Sequence, residues 1–142
     1  MEKAAPKNVI LDTNLWISHL ISNSLAHLDQ LLIEGKVRLI FSEQLLEEFL
    51  IVVRRPKFQK YFSGPDIEAL LRTFESYGRI VSVFSIVEVC RDPKDNFLLA
   101  LAKDSQADSL ITGDQDLLVL QKFGHTPILT YSEFLTSIDL PE

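Results

Sequence analysis

Four acidic residues stand where a carboxylate has a reason to be beyond solubility. Asp12 directly follows the apolar run Val9-Ile10-Leu11, and Asp114 follows Leu110-Ile111-Thr112-Gly113. A short apolar run ended by an acid reads as a buried strand whose carboxylate emerges at its C-terminal edge, where open α/β sheets place their chemistry. Asp95 opens the run Asn96-Phe97-Leu98-Leu99-Ala100-Leu101-Ala102, a helix apolar enough to be buried, which has little reason to begin on a carboxylate except as a cap or a ligand. Glu48 lies beside Glu47 on a predicted helix from Glu43 to Val53. One turn away Glu48 has Leu45 and Val52, whereas Glu47 has Glu43 and Leu50, so Glu48 is expected to turn inward.

Four carboxylates drawn to one place repel unless they are protonated or neutralised, and an oxygen-only set suits Mg²⁺ or Mn²⁺. The chemistry that follows is phosphodiester hydrolysis, with one ion or two about 4 Å apart. It needs no histidine or cysteine nucleophile, and His19, His27, His125 and the single Cys90 are scattered. Each acid alone has a plainer reading. Asp12 and Asp95 could cap helices, Asp114 could be a turn residue, and Glu47 and Glu48 could face solvent. Only the combination favours a metal centre.

The elements that must position these residues follow from patterning. Strands are expected at Val9–Leu11, Val37–Phe41, Ile80–Phe84, Ser109–Thr112 and Pro127–Thr130. Between them helices are expected at Leu15–Leu20, Ser24–Ile33, Glu43–Val53 after the N-cap Ser42, Ser63 to Tyr77, Asn96–Lys103, Asp116–Gln121 and Ser132–Ile138. This alternation predicts an α/β fold, a three-layer α/β/α arrangement around a central parallel sheet of four to five strands. It forms one domain over residues 8–138, with loose ends at 1–7 and 139–142.

Apolar runs are interrupted by charge well before the roughly 18 residues of a membrane span, and Met1 to Lys7 lack the apolar core of a signal peptide. With one cysteine and no internal disulfide to form, a cytoplasmic location is expected. The formal charge of −6 argues against a polyanionic partner at first sight. Acids gathered in one pocket and cancelled by cations would make the outer surface less negative than that sum.

The motifs Val9-Ile10-Leu11-Asp12-Thr13-Asn14, Leu45-Leu46-Glu47-Glu48-Phe49, Arg91-Asp92-Pro93-Lys94-Asp95-Asn96 and Ala107-Asp108-Ser109-Leu110-Ile111-Thr112-Gly113-Asp114-Gln115-Asp116 resemble those of PIN-domain proteins. In particular they resemble the toxin components of toxin-antitoxin pairs, the VapC-like ribonucleases. The similarity runs in order from about Asn8 to Ile138, and Tyr131-Ser132-Glu133-Phe134-Leu135 fits as well. The resemblance implies an endoribonuclease dependent on Mg²⁺ or Mn²⁺, with Asp12, Glu48, Asp95 and Asp114 as catalytic metal ligands and Asp116 as an outer ligand or water-holder. It implies that Thr13, Asn14 and Thr112 orient carboxylates or phosphate oxygens, and it adds a cognate antitoxin and a homodimer to the RNA substrate as expected partners.

Arg54-Arg55-Pro56-Lys57-Phe58-Gln59-Lys60-Tyr61-Phe62 is the one basic cluster interleaved with aromatics. Arg54, Arg55, Lys57 and Lys60 are the candidates for RNA contact, against a plain solvated turn. Two other functions compete with a nuclease. A non-catalytic PIN-like module could hold RNA or a protein, although unpaired buried carboxylates are costly to keep without a metal. An aspartyl phosphatase would use Asp12 as nucleophile, but the second aspartate it wants two residues on is Asn14 here.

Overall fold

The computed structural model describes residues 5–22 and 26–139. Its strands are β1 (Lys7–Leu11), β2 (Val37–Phe41), β3 (Gly78–Ile80), β4 (Ser109–Ile111), β5 (Lys122–Phe123) and β6 (Thr126–Leu129). Its helices are α1 (Thr13–Ser22), α2 (Ala26–Ile33), α3 (Glu43–Val53), α4 (Gly64–Tyr77), α5 (Pro93–Ser105), α6 (Gln115–Leu118) and α7 (Tyr131–Asp139), with a 3-10 turn at Pro56–Phe58. The strands form one sheet in the order β3-β2-β1-β4-β6-β5. Every pairing is parallel except β5 with β6.

The order explains where chemistry can sit. From β1 the chain builds outward through β2 and β3, then returns to place β4 on the other side of β1. The crevice between the C-terminal ends of β1 and β4 is therefore the topological switch point of the sheet. Leu11 pairs with Ile111, so Asp12 and Thr112 leave the two strands side by side.

Successive residues of a strand point to opposite faces, yet Val9, Ile10 and Leu11 in β1, Leu39, Ile40 and Phe41 in β2 and Ser109, Leu110 and Ile111 in β4 are all buried. Both faces of the sheet must be covered, as in an α/β fold around a central, mostly parallel sheet. An aromatic cluster closes one side. Phe74 of α4 has ring centroids 5.2 Å from Trp16 of α1, 4.7 Å from Phe41 of β2 and 5.3 Å from Phe49 of α3. It fixes α1 and α3, the helices that follow Asp12 and carry Glu48. Among the described residues no helix is long and apolar enough to cross a membrane.

The sheet has six strands rather than the expected four to five. The added strand is the two-residue β5, too short to show any alternation. Gln121 and Gly124, both at positive φ, turn the chain so that Lys122 and Phe123 fold back on Pro127 and Thr126. The strand expected at Ile80–Phe84 is displaced to Gly78–Ile80. After Val81 donates to the Phe41 carbonyl at 2.8 Å, the chain leaves β2 and runs without regular structure beside α5. Side chains of α5 replace the missing ladder: Asp104 accepts from the backbone of Phe84 and Ser85 at 2.8 Å each, and Asn96 from Val89 and Cys90 at 3.1 and 2.8 Å. Gly78 is dictated by close approach, since a Cβ there would lie 2.5 Å from the Phe74 carbonyl oxygen. Of the ends expected to be loose, residues 1–4 and 140–142 lie outside the described residues, as does Ser24. Lys7 already pairs with Val37, and Asp139 closes α7.

Candidate metal centre

Asp12 is held at the end of β1 by three bonds. Its N–H donates to the Ile111 carbonyl at 3.1 Å, its Oδ2 accepts from the Thr112 hydroxyl at 2.8 Å, and its Oδ1 accepts from the Asn14 N–H at 3.3 Å. The Thr112 hydroxyl in turn accepts from the Asp114 N–H at 3.0 Å. One buried hydroxyl thus couples the acid of β1 to the acid after β4. Asp114 caps α6 by accepting from the Asp116 N–H at 2.9 Å. Thr112→Val keeps the shape but strands the Asp114 N–H and the Asp12 carboxylate. It is expected to cost about 1–3 kcal/mol of stability in urea unfolding.

The plain reading of Asp95 as a helix cap is taken by another residue. Asp92 is the N-cap of α5, accepting from the Lys94 N–H at 2.9 Å, and Pro93 occupies the first turn. Asp95 lies inside that turn and is only 6% exposed. Burial, then the hydrogen-bonded carboxyl of Asp114 and the charges of Asp114, Asp92 and Asp12, push its pKa up to about 7. Asp12 is also raised, by burial first and by the charge of Asp114, against the lowering effect of its bonds to Thr112 and Asn14. Carboxylates with raised proton affinity in a concave site take up a divalent cation readily.

Asp12, Asn14, Glu48, Arg55, Asp92, Lys94, Asp95 and Asp114 line one cleft of about 200 Å³, with Val52 and Leu98 as its apolar walls. Glu48 enters from α3, where Ser42 caps the helix and Leu45, Phe49 and Val52 anchor it in the core. The Thr13 hydroxyl donates to its Oε2 at 3.4 Å, and Lys94 Nζ lies 3.5 Å from its Oε1. Glu47 is exposed and lies outside this cleft. Asp116 is exposed at the rim, yet its carboxylate joins those of Asp95 and Asp114 with one oxygen of each within 4.8 Å of the others. Arg91 pairs with it at 3.4 Å. Asp95 and Asp114 are therefore shared between a cleft that contains Asp12 and Glu48 and a rim group that contains Asp116. The donors are all carboxylate oxygens, a set that fits Mg²⁺ or Mn²⁺ and not a thiolate or imidazole metal.

Of the basic candidates, only Arg55 lines the cleft. Arg54, Lys57 and Lys60 are exposed outside it, with Lys57 5.1 Å over the Phe58 ring and Lys60 5.0 Å over Tyr61. Sequence reasoning missed Asp92, Lys94 and Arg91. Lys94 had a readable signal: it is the one cation inside Asp92-Pro93-Lys94-Asp95. Arg91 had none, because its partner Asp116 comes from a distant turn.

The chain is similar to known proteins in sequence and in fold. A sequence model described as PIN domain matches residues 8–116. Over 124 residues the chain is 36% identical to the Uncharacterized protein MJ1680 of Methanocaldococcus jannaschii, a match that covers 85% of this chain and 79% of that protein. The crystal structure of PAE2754 from Pyrobaculum aerophilum is similar with a TM-score of 0.61, covering 96% of this chain and 92% of that one. At 15% identity that likeness speaks to the fold alone.

Proposed function

This chain belongs to the PIN-domain family, and from that premise we propose that it is a metal-dependent endoribonuclease that hydrolyses RNA phosphodiester bonds as the toxin of a toxin-antitoxin pair. The observation that carries the reading is the meeting of Asp12, Glu48, Asp95 and Asp114 in one cleft at the switch point of the sheet. Those four would hold Mg²⁺ or Mn²⁺, with Asp116 as an outer group. The chemistry supplied by such an ion when bound is neutralisation of phosphate charge and a lowered pKa for water.

The chain's own residues do the rest. Thr112 and Thr13 fix the carboxylates of Asp12 and Glu48 from behind, so little reorganisation is left for the reaction. Arg55 and Lys94 bring positive charge to an otherwise acidic cleft and can hold the phosphate on either side of the bond to be cut. Asp95, whose pKa is raised to about 7, would have to be ionised to serve as a ligand, so metal binding there would release a proton. The partners that this reading requires are RNA and a cognate antitoxin protein.

The test is the purified protein with labelled single-stranded RNA in Mn²⁺, in Mg²⁺ and in EDTA. Cleavage is expected with either ion and none in EDTA. Cleavage that survives EDTA would overturn the metal centre. RNA that is bound yet stays intact under every ion would favour a non-catalytic module.

A further inference from the structure

Beside the acidic cleft runs an apolar groove of about 310 Å³ between α3 and α5. Leu45, Glu48 and Val52 with Ile51 face it from α3, and Lys94, Phe97, Leu98 and Leu101 from α5. The α5 residues follow the i, i+3, i+4, i+7 spacing of a single helical stripe, as for a face packed against something. Leu98 and Leu101 are buried, but Phe97 is 54% exposed and Ile51 is 65% exposed, so the outer half of the slot stands open.

The groove is continuous with the cleft, because Glu48, Val52, Arg55, Lys94 and Leu98 line both. The cleft alone adds Asp12, Asp92, Asp95 and Asp114, the shared boundary carries Arg55 and Lys94 beside Glu48, and the groove alone adds the apolar Leu45, Ile51, Phe97 and Leu101. A nucleic-acid strand has the complementary order: a phosphate, a sugar, then a base with flat apolar faces and polar edges. Gln44 and Glu47 at the groove rim offer hydrogen-bonding groups to such edges. Arg55 makes no ion pair among the described residues and is available to a phosphate.

We propose that the groove between α3 and α5 is a base-binding subsite, in which Phe97 stacks on the nucleobase adjoining the phosphate held at the acidic cleft, with Arg55 and Lys94 on that phosphate. This inference rests on the ribonuclease reading and adds to it a positioning of single-stranded substrate. A duplex keeps its bases stacked on one another and cannot present one to the slot.

The experiment separates the two readings. In an Asp12→Asn background, which keeps the strand intact, fluorescence anisotropy in Mn²⁺ compares a labelled single-stranded RNA with an abasic ribose-phosphate chain of equal length. Phe97→Ala is expected to lower the affinity ratio of intact over abasic chain by about tenfold, the order of one lost base stack, and Phe97→Trp to restore it. Phe97 is exposed, so both variants should fold. A ratio unmoved by Phe97→Ala, while the parent protein still cleaves RNA in Mn²⁺, would overturn the subsite and leave the nuclease reading standing. A change from dimer to monomer in sedimentation with the ratio unmoved would overturn it too, and would assign the groove to a second copy of the chain. A parent protein that neither binds nor cleaves RNA would remove both readings together.

Discussion

Asp12→Asn is expected to lower Mn²⁺-dependent RNA cleavage by about a hundredfold or more, while the metal-free protein stays at least as stable as the parent. The two halves of this result have one cause. Asp12 stands at the crevice between β1 and β4, with its carboxylate facing the same cleft as Asp95 and Asp114. Burial and the charge of Asp114 hold its pKa above the ordinary carboxylate value even though Thr112 and Asn14 donate to it. The folded chain is therefore penalised for the negative charge that the reaction requires. The amide of Asn can still accept from Thr112 but brings no charge to a cation. Single-turnover cleavage on gels and urea unfolding in EDTA measure the two halves. Cleavage at the parent rate would remove Asp12 from the site, and a large loss of stability would show that its carboxylate is held for the fold.

Asp95→Asn gives the second large effect, in the pH dependence of the metal-free protein. The ordinary carboxyl pKa is 3.8, and in the folded chain that of Asp95 is raised to about 7. Between those values the folded state binds more protons than the unfolded state, so the contribution of this group to stability falls as pH rises. The slope is at most about 1.4 kcal/mol per pH unit for one proton. Below the lower value the folded and unfolded chains are equally protonated at this position. Above about 7 the loss is complete. Thermal melts in EDTA from pH 4 to pH 8 should therefore show the parent losing stability toward neutrality more steeply than Asp95→Asn, with the variant the more stable at pH 8. Added Mn²⁺ should reverse the order, because the parent gains a ligand-bound folded state and the variant gains less. Parallel pH profiles for the two proteins would mean that Asp95 is ionised without penalty.

The sequence showed the site more completely than it showed the sheet, and the reason lies in length. Asp12 and Asp114 each end an apolar run long enough to read, and Glu48 is favoured over Glu47 by its neighbours Leu45 and Val52 one turn away, although both acids border the groove beside the cleft. By contrast, β5 is two residues held by backbone turns at Gln121 and Gly124, and no periodicity exists over two residues. The strand expected through Phe84 has strand-like residues, but the Phe84 amide is taken by Asp104, twenty residues along the chain, and not by a neighbouring strand. The pairing of Arg91 with Asp116 and the groove beside Phe97 are likewise products of tertiary placement. Local patterning carries no signal for either.

That diversion of the chain after β3 also bears on how copies of the protein behave toward one another. Val81-Ser82-Val83-Phe84-Ser85-Ile86-Val87 has no proline, glycine or charge and is rich in β-branched residues, the composition that stacks into intermolecular β-structure. Placed as the outermost strand of the sheet, it would offer a free edge to every neighbouring molecule. Fastened instead to α5, it has the amides of Phe84 and Ser85 engaged by Asp104, while Asn96 holds Val89 and Cys90 just beyond it. Asp104 thereby withdraws the middle of this run from the edge where the sheet would otherwise be most open to a neighbouring strand.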